Sequence, residues 1–174
     1  MTWSLKPSLS AGTYPNALQM ERLVNQVDFL SNAPMAWLKR AAAFSVANST
    51  VVTIDMDTAT YDNYGGWSAS SNPSRYTVQV AGTYMIAGGV SWESNATGLR
   101  TAQIRVNGVD VSGSQVRVAP ISGTQTSTVT RTVLVSLSVN DYIEIATFQS
   151  SGGALNTGSS TEYYSSLMAR WVAF

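Results

Sequence analysis

Neither cysteine nor histidine occurs among the 174 residues. The chain therefore has no thiolate nucleophile, no disulfide and no imidazole base, which excludes Ser-His-Asp and Cys-His catalysis together with thiolate-held zinc. Charge is scarce as well. Ten basic residues balance ten acidic ones, and charged residues make up 11% of the chain against about 25% in an average soluble domain. Without a basic stripe, such a surface does not fit nucleic-acid binding. No apolar run approaches the ~20 residues that cross a bilayer, so membrane insertion is not expected. The opening Met1-Thr2-Trp3-Ser4-Leu5-Lys6-Pro7 lacks the charged-then-apolar layout of a secretory leader, and no secretory address is expected. What the chain does have is Ser, Thr and β-branched residues in quantity, which suit a sheet surface that meets other protein.

Two patterns divide the sequence. In Ala17 to Leu30, Met20, Leu23, Val27 and Leu30 recur at three-four-three spacing and fall on one side of a predicted helix. Pro34 ends it, because the residue before proline avoids helical angles. That face either lies on its own domain or serves as a docking or self-association surface, and two heptads are too few to assemble alone. From about Ala42 the period changes to two. Val52, Ile54 and Met56 alternate with polar residues, followed by Tyr76, Val78 and Val80, then Tyr84, Ile86, Val90 and Trp92. Ala102, Ile104 and Val106 run into Asn107-Gly108, a strong hairpin signal. Val129 to Val139 predicts one long strand, Asn140-Asp141 a turn, Tyr142 to Phe148 its return, and Leu167 to Phe174 the last strand. The expectation is an all-β antiparallel sandwich over residues 42–174, behind a loop-and-helix anchor over residues 1–41.

The order of the pieces carries a further signal. Phe44-Ser45-Val46, Tyr61-Asp62-Asn63-Tyr64-Gly65-Gly66-Trp67, Pro73-Ser74-Arg75-Tyr76, Ala81-Gly82-Thr83-Tyr84, Ile104-Arg105-Val106-Asn107-Gly108, Asn140-Asp141-Tyr142 and Ser165-Ser166-Leu167-Met168 follow one another along the chain. This series resembles the C1q/TNF-like jelly roll, with Asn140 where that family usually has glycine; asparagine tolerates the same left-handed turn. Thr2-Trp3-Ser4 and the helix through Leu30 are similar to the start of short tail and fibre proteins of actinobacterial phages. The resemblance implies a homotrimer without enzymatic activity, carried on the surface of a phage particle assembled in the host cytoplasm. In that reading the N-terminal segment binds other virion proteins. A minor tail protein or head fibre that contacts host surface polysaccharide is the first expectation, and a capsid decoration protein the alternative.

In C1q-like folds the final strand lies in the sheet facing the trimer axis. The resemblance therefore makes Arg170, Met168, Val172 and Phe174 trimer-interface candidates, with Arg131, which has the strand parity of Val129, Val133 and Val135. Each arginine either pairs across a subunit boundary or snorkels at an edge. Leu167, Ala169, Trp171 and Ala173 share the other face, and a sandwich interior takes one set. Tyr61, Tyr64, Trp67, Tyr163 and Tyr164 are expected in loops, as a sugar-stacking platform or as packing at an interface. No cofactor is expected. C1q-like trimers can hold calcium near their axis, and Asp55, Asp57 and Asp62 are the carboxylates to consider, but they lack the spacing of a dedicated calcium loop. Asp141 and Glu144 could be paired as glycosidase carboxylates, but Asp141 sits in a turn where aspartate bonds its own backbone.

Overall fold

A computed structural model describes residue 12 and residues 14–174. It resolves two compact units, residues 1–33 and residues 34–174. The Thr2-Trp3-Ser4 motif lies outside the described residues.

The first unit contains the helix α1 (Ala17–Ser31). Its start is built by a capping box, in which the Asn16 side chain accepts the Gln19 amide at 2.9 Å and the Gln19 side chain accepts the Asn16 amide at 2.9 Å. Within α1 the buried residue is Phe29, which the periodic reading did not single out. Leu23 is half-buried, while Met20, Val27 and Leu30 are exposed.

The second unit is a sandwich of short strands. In chain order they are β1 (Met35–Arg40), β2 (Ser45–Val46), β3 (Val52–Thr53), β4 (Thr58–Asp62), β5 (Tyr76–Thr77), β6 (Gly82–Trp92), β7 (Arg100–Val106), β8 (Val109–Asp110), β9 (Val116–Val118), β10 (Thr126–Val129), β11 (Val133–Leu137), β12 (Tyr142–Gln149), β13 (Leu155–Asn156) and β14 (Ser165–Ala173). One sheet runs β10-β6-β14-β1-β4, with β11 also on β6; the other runs β3-β12-β7-β8, with β5 on β12 and β9 on β7. The pairings between named strands are antiparallel. Period-two burial fills the space between the sheets. Leu38, Tyr84, Ile86, Val90, Trp92, Leu167 and Trp171 face Ile54, Tyr76, Ile104, Ile143 and Ile145. Gly88 lets the sheets approach, since a Cβ there would lie 2.9 Å from Ile145 Cδ1.

Two expectations need correction. The boundary at residue 41 cuts through the sandwich, because Met35–Arg40 is a strand held between β14 and β4 with Ala36 and Leu38 buried. Its signal is a two-residue inward alternation directly after Pro34, too short to stand out beside a helix. The long strand from Val129 to Val139 is broken at residues 130–132. Thr130 turns inward, donates its amide to the Gly88 carbonyl at 2.9 Å, and accepts the Gly88 amide on its hydroxyl at 3.0 Å. The hairpin at Asn107-Gly108 is as expected, with φ of 52° and 77° on its two central residues.

The ends of the sandwich are distinct. The Trp171 amide bonds the Pro34 carbonyl at 2.8 Å, so the point where the chain enters the sandwich and its last strand lie together. The turns at residues 107–108 and 138–141 share this end through Val78, whose amide bonds the Asp141 carbonyl at 2.8 Å. At the opposite end Arg40 pairs with Ser165, Trp92 with Thr126 and Arg100 with Gln149.

Candidate functional site

The outward side of the first sheet is unusually apolar for a surface. Strand register sets its side chains in rungs. Tyr61, Trp37, Met168 and Ala87 form one rung, and Met35, Arg170, Met85 and Leu134 form the next. Trp37 is 38%, Met85 41%, Met168 43% and Leu134 67% exposed. A third rung of Lys39, Ser166, Gly89 and Val129 continues the surface. The first two rungs enclose a groove of about 570 Å³, and a second of about 220 Å³ adjoins it through Ala87 and Met168. A contiguous apolar patch of this kind marks an interaction surface.

β14 explains why the face exists. Leu167, Ala169 and Trp171 are buried, so Met168, Arg170 and Val172 must point out. The two-sided apolar strand thus resolves with its tryptophan set inward and its methionine set outward. Ala173, assigned by parity to the inward set, is exposed beyond a register shift after Trp171. Phe174 lies past the strand, with its ring edge-on to Trp171 at 4.7 Å. Arg170 sits among methionines, and the ion pairs among the described residues are Arg40–Asp57, Arg75–Glu144 and Arg105–Asp110. Arg131 is elsewhere. It occupies the exposed break between β10 and β11, where its amide bonds the Ser114 carbonyl at 3.0 Å, and shares no rung with Arg170.

The five aromatic candidates do not converge. Tyr61 is in β4 rather than a loop, beside Trp37 on the apolar face. Tyr64 and Trp67 lie in the following loop, at the end where the chain enters: Asn63 and Met35 exchange hydrogen bonds of 2.8 and 3.4 Å. Both Trp67 and that loop are held internally, by Trp67 Nε1 on the Pro73 carbonyl at 2.9 Å and by the Gly66 and Trp67 amides on the Asp62 carboxylate. Tyr163 and Tyr164 are at the opposite end, Tyr164 lying under the Lys39 ammonium at 5.7 Å. A single five-residue platform is therefore ruled out by the position of the strands.

Asp57, Asp62, Glu144 and Asp141 are committed to backbone and side-chain partners. Asp57 accepts the Ala41 and Ala42 amides and the Thr58 hydroxyl. Burial alone would raise its carboxyl, but these donors and Arg40 outweigh it and hold it below the ordinary aspartate value. Glu144 is buried, accepting Ser74 at 2.9 Å and Arg75 at 3.1 Å, with the Arg75 guanidinium 4.0 Å above the Tyr142 ring. Asp141 caps its own turn through the Ser138 amide at 2.7 Å. Among the described residues no three acidic side chains group as metal ligands would.

Sequence reasoning passed over Arg100, which is fully buried. Its guanidinium donates to the carbonyls of Thr97, Leu99 and Asn95 and to the Asn95 side chain, over the Trp92 ring. Its parity with Ala102 and Ile104 was the available signal for an inward arginine.

No model of a known protein family matches the chain. It is 32% identical over 120 residues to an uncharacterized protein of Acanthamoeba polyphaga mimivirus, a match covering 65% of this chain. The chain spans about half the length of this curated relative, 50%. Among solved structures, the globular domain of zebrafish complement 1qA protein superposes with a TM-score of 0.59 at 11% identity, covering 80% of this chain and 97% of that one. Murine APRIL gives 0.56 at 12% identity, over 78% and 98% of the two chains. Eiger TNF from S. frugiperda gives 0.54 at 11% identity, over 81% and 95%. The β-sandwich of this chain thus has the C1q/TNF jelly-roll fold.

Proposed function

We propose that the protein is a non-enzymatic structural component of a phage virion: a homotrimeric knob or fibre, of minor tail or head-fibre type, held to the particle through residues 1–33. The observation that carries this reading is the outward apolar face built by Trp37, Met168, Met85 and Leu134, with Arg170 among them and no ion-pair partner for it among the described residues. Domains of this fold often assemble as trimers, and the sequence relative is viral. Pro34 enters the sandwich at one end, and the loops around residues 93–99 and 150–164 lie at the other. Host surface polymer is the partner assigned to that end, where Tyr163 is 40% exposed. The absence of histidine and cysteine and the structural use of Asp57, Asp141 and Glu144 support a non-enzymatic role.

Light scattering of the full chain at micromolar concentration tests the assembly. The expected mass is that of three chains. Met168→Arg sets like charges beside Arg170 at the interface and should give a monomer with intact β-type circular dichroism. A wild-type monomer, or a Met168→Arg variant that stays trimeric, overturns the reading.

A further inference from the structure

The apolar stripe of α1 is exposed. Met20 is 47%, Val24 52%, Val27 63% and Leu30 59% exposed. With Leu23, the residues Met20, Val27 and Leu30 keep the three-four-three spacing of a coiled-coil seam over a helix of 15 residues, ~22 Å long. The positions flanking that seam are Gln19, Val24, Gln26 and Ser31, none of them charged. Glu21, Arg22 and Asp28 all lie off it. Flanking charges are what direct such a helix to a different partner, so this stripe carries no code for one and is complementary to itself.

We infer that α1 is a second self-association element, and that the stripes of three copies pack together as a short parallel helical stalk. The occupant follows from chain connectivity. Asn32, Ala33 and Pro34 separate the helix from β1, a link that spans at most ~10 Å. β1 supplies Met35 and Trp37 to the sheet face proposed to join the copies, and the Trp171 amide fixes Pro34 to β14. Copies joined through that face therefore bring their helices together at an effective concentration in the millimolar range. Two heptads fail alone for want of this tether, and with it they need no further length. The inference rests on the trimeric reading of the sandwich, and it leaves residues 1–16 and the polar side of α1 to meet the particle.

The absence of native cysteine makes the test direct. Val27→Cys in the full chain, treated with a short bismaleimide, should convert roughly two of every three chains to covalent dimers, because three thiols about one axis yield one linked pair. Asn25→Cys, on the opposite side of the helix, should stay monomeric on the same denaturing gel. Light scattering of the untreated variants runs alongside. A trimer whose Val27→Cys form links no better than the Asn25→Cys form overturns the stalk and leaves the trimeric knob standing. A monomeric chain overturns both. Val27→Glu should lower the melting temperature of the assembly by several degrees where Asn25→Glu leaves it unchanged, and equal melting of the two also overturns the stalk.

Discussion

Asn107 and Asp141 join two turns 34 residues apart: Asn107 Nδ2 donates to Asp141 Oδ1 at 2.8 Å, while Asn107 Oδ1 accepts the Tyr142 amide at 3.0 Å. Asn107 and the neighbouring Asn140 both take positive φ, 52° and 72°, which asparagine tolerates better than most residues. The clasp closes the end of the sandwich beside the chain's point of entry, and the hydrogen bond from Asn107, then that from Ser138, holds the Asp141 carboxyl below its ordinary value.

Because the folded value is depressed, the Asp141 contribution is present above the unfolded pKa and is lost as pH falls through the folded one. Asn107→Asp reverses the dependence. A second carboxylate then faces Asp141 at hydrogen-bond distance, so the variant should melt below wild type at pH 7, and the gap should narrow as acid protonates one of the pair. Melting curves from pH 7 to pH 4 measure this; a gap that is constant or widens rules the clasp out as the cause.

Gly88 is required by the packing of the two sheets. A Cβ there would meet the Ser166 carbonyl at 2.7 Å and Ile145 Cδ1 at 2.9 Å, while at Gly89, on the outward side, the nearest atom is the Thr128 carbonyl at 3.3 Å. Gly88→Ala should cost about 1–3 kcal/mol, the usual range for overpacking. Gly89→Ala should cost less. Denaturant midpoints at unchanged slope compare them, and equal losses would show that the inward approach is not tight.

Much of this fold was legible from periodicity. The helix announced itself through the spacing of Met20, Leu23, Val27 and Leu30 and through Pro34, and the core through the alternation of Tyr84 to Trp92, while the capping box at Asn16 and Gln19 was not read. What escaped is where local pattern and tertiary pairing diverge. Met35–Arg40 becomes a strand because β14 and β4 lie on either side of it, and residues 130–132 leave the sheet because Thr130 finds the Gly88 backbone. The candidate face was half readable. Met168, Arg170 and Val172 follow from one two-sided strand, whereas Trp37, Met85 and Leu134 join them through register between segments far apart in the chain.

Arg100 organises the loop between β6 and β7. Removing its charge leaves the carbonyls of Asn95, Thr97 and Leu99 without their donors, so Arg100→Met should destabilise the protein by about 3 kcal/mol. Amide exchange at residues 95–99 should accelerate more than in β7 itself. A uniform change across the sandwich would mean that the guanidinium supports the core in general and not this loop.

Arg170 gives the sharpest test of the outward face. Its register partners are Met35 and Met85, and it lines the 570 Å³ groove without a carboxylate at ion-pair distance among the described residues. In an isolated subunit such a guanidinium stays hydrated and contributes little to folding. In an assembly closed over this face it loses that water and must find acceptors on the neighbouring copy, since a buried unpaired charge is costly. Arg170→Ala should therefore leave the melting of a dissociated subunit unchanged and weaken assembly by about 2 kcal/mol per interface, which over the three interfaces of a trimer is roughly a 150-fold shift in the concentration at which the complex falls apart. Arg170→Lys should recover only part of this, because a lysine ammonium cannot reproduce the planar fork of donors. Sedimentation across a dilution series reads all three proteins. An Arg170→Ala variant that dissociates at the wild-type concentration places Arg170 outside the buried interface and moves the contact toward Trp37 and Tyr61.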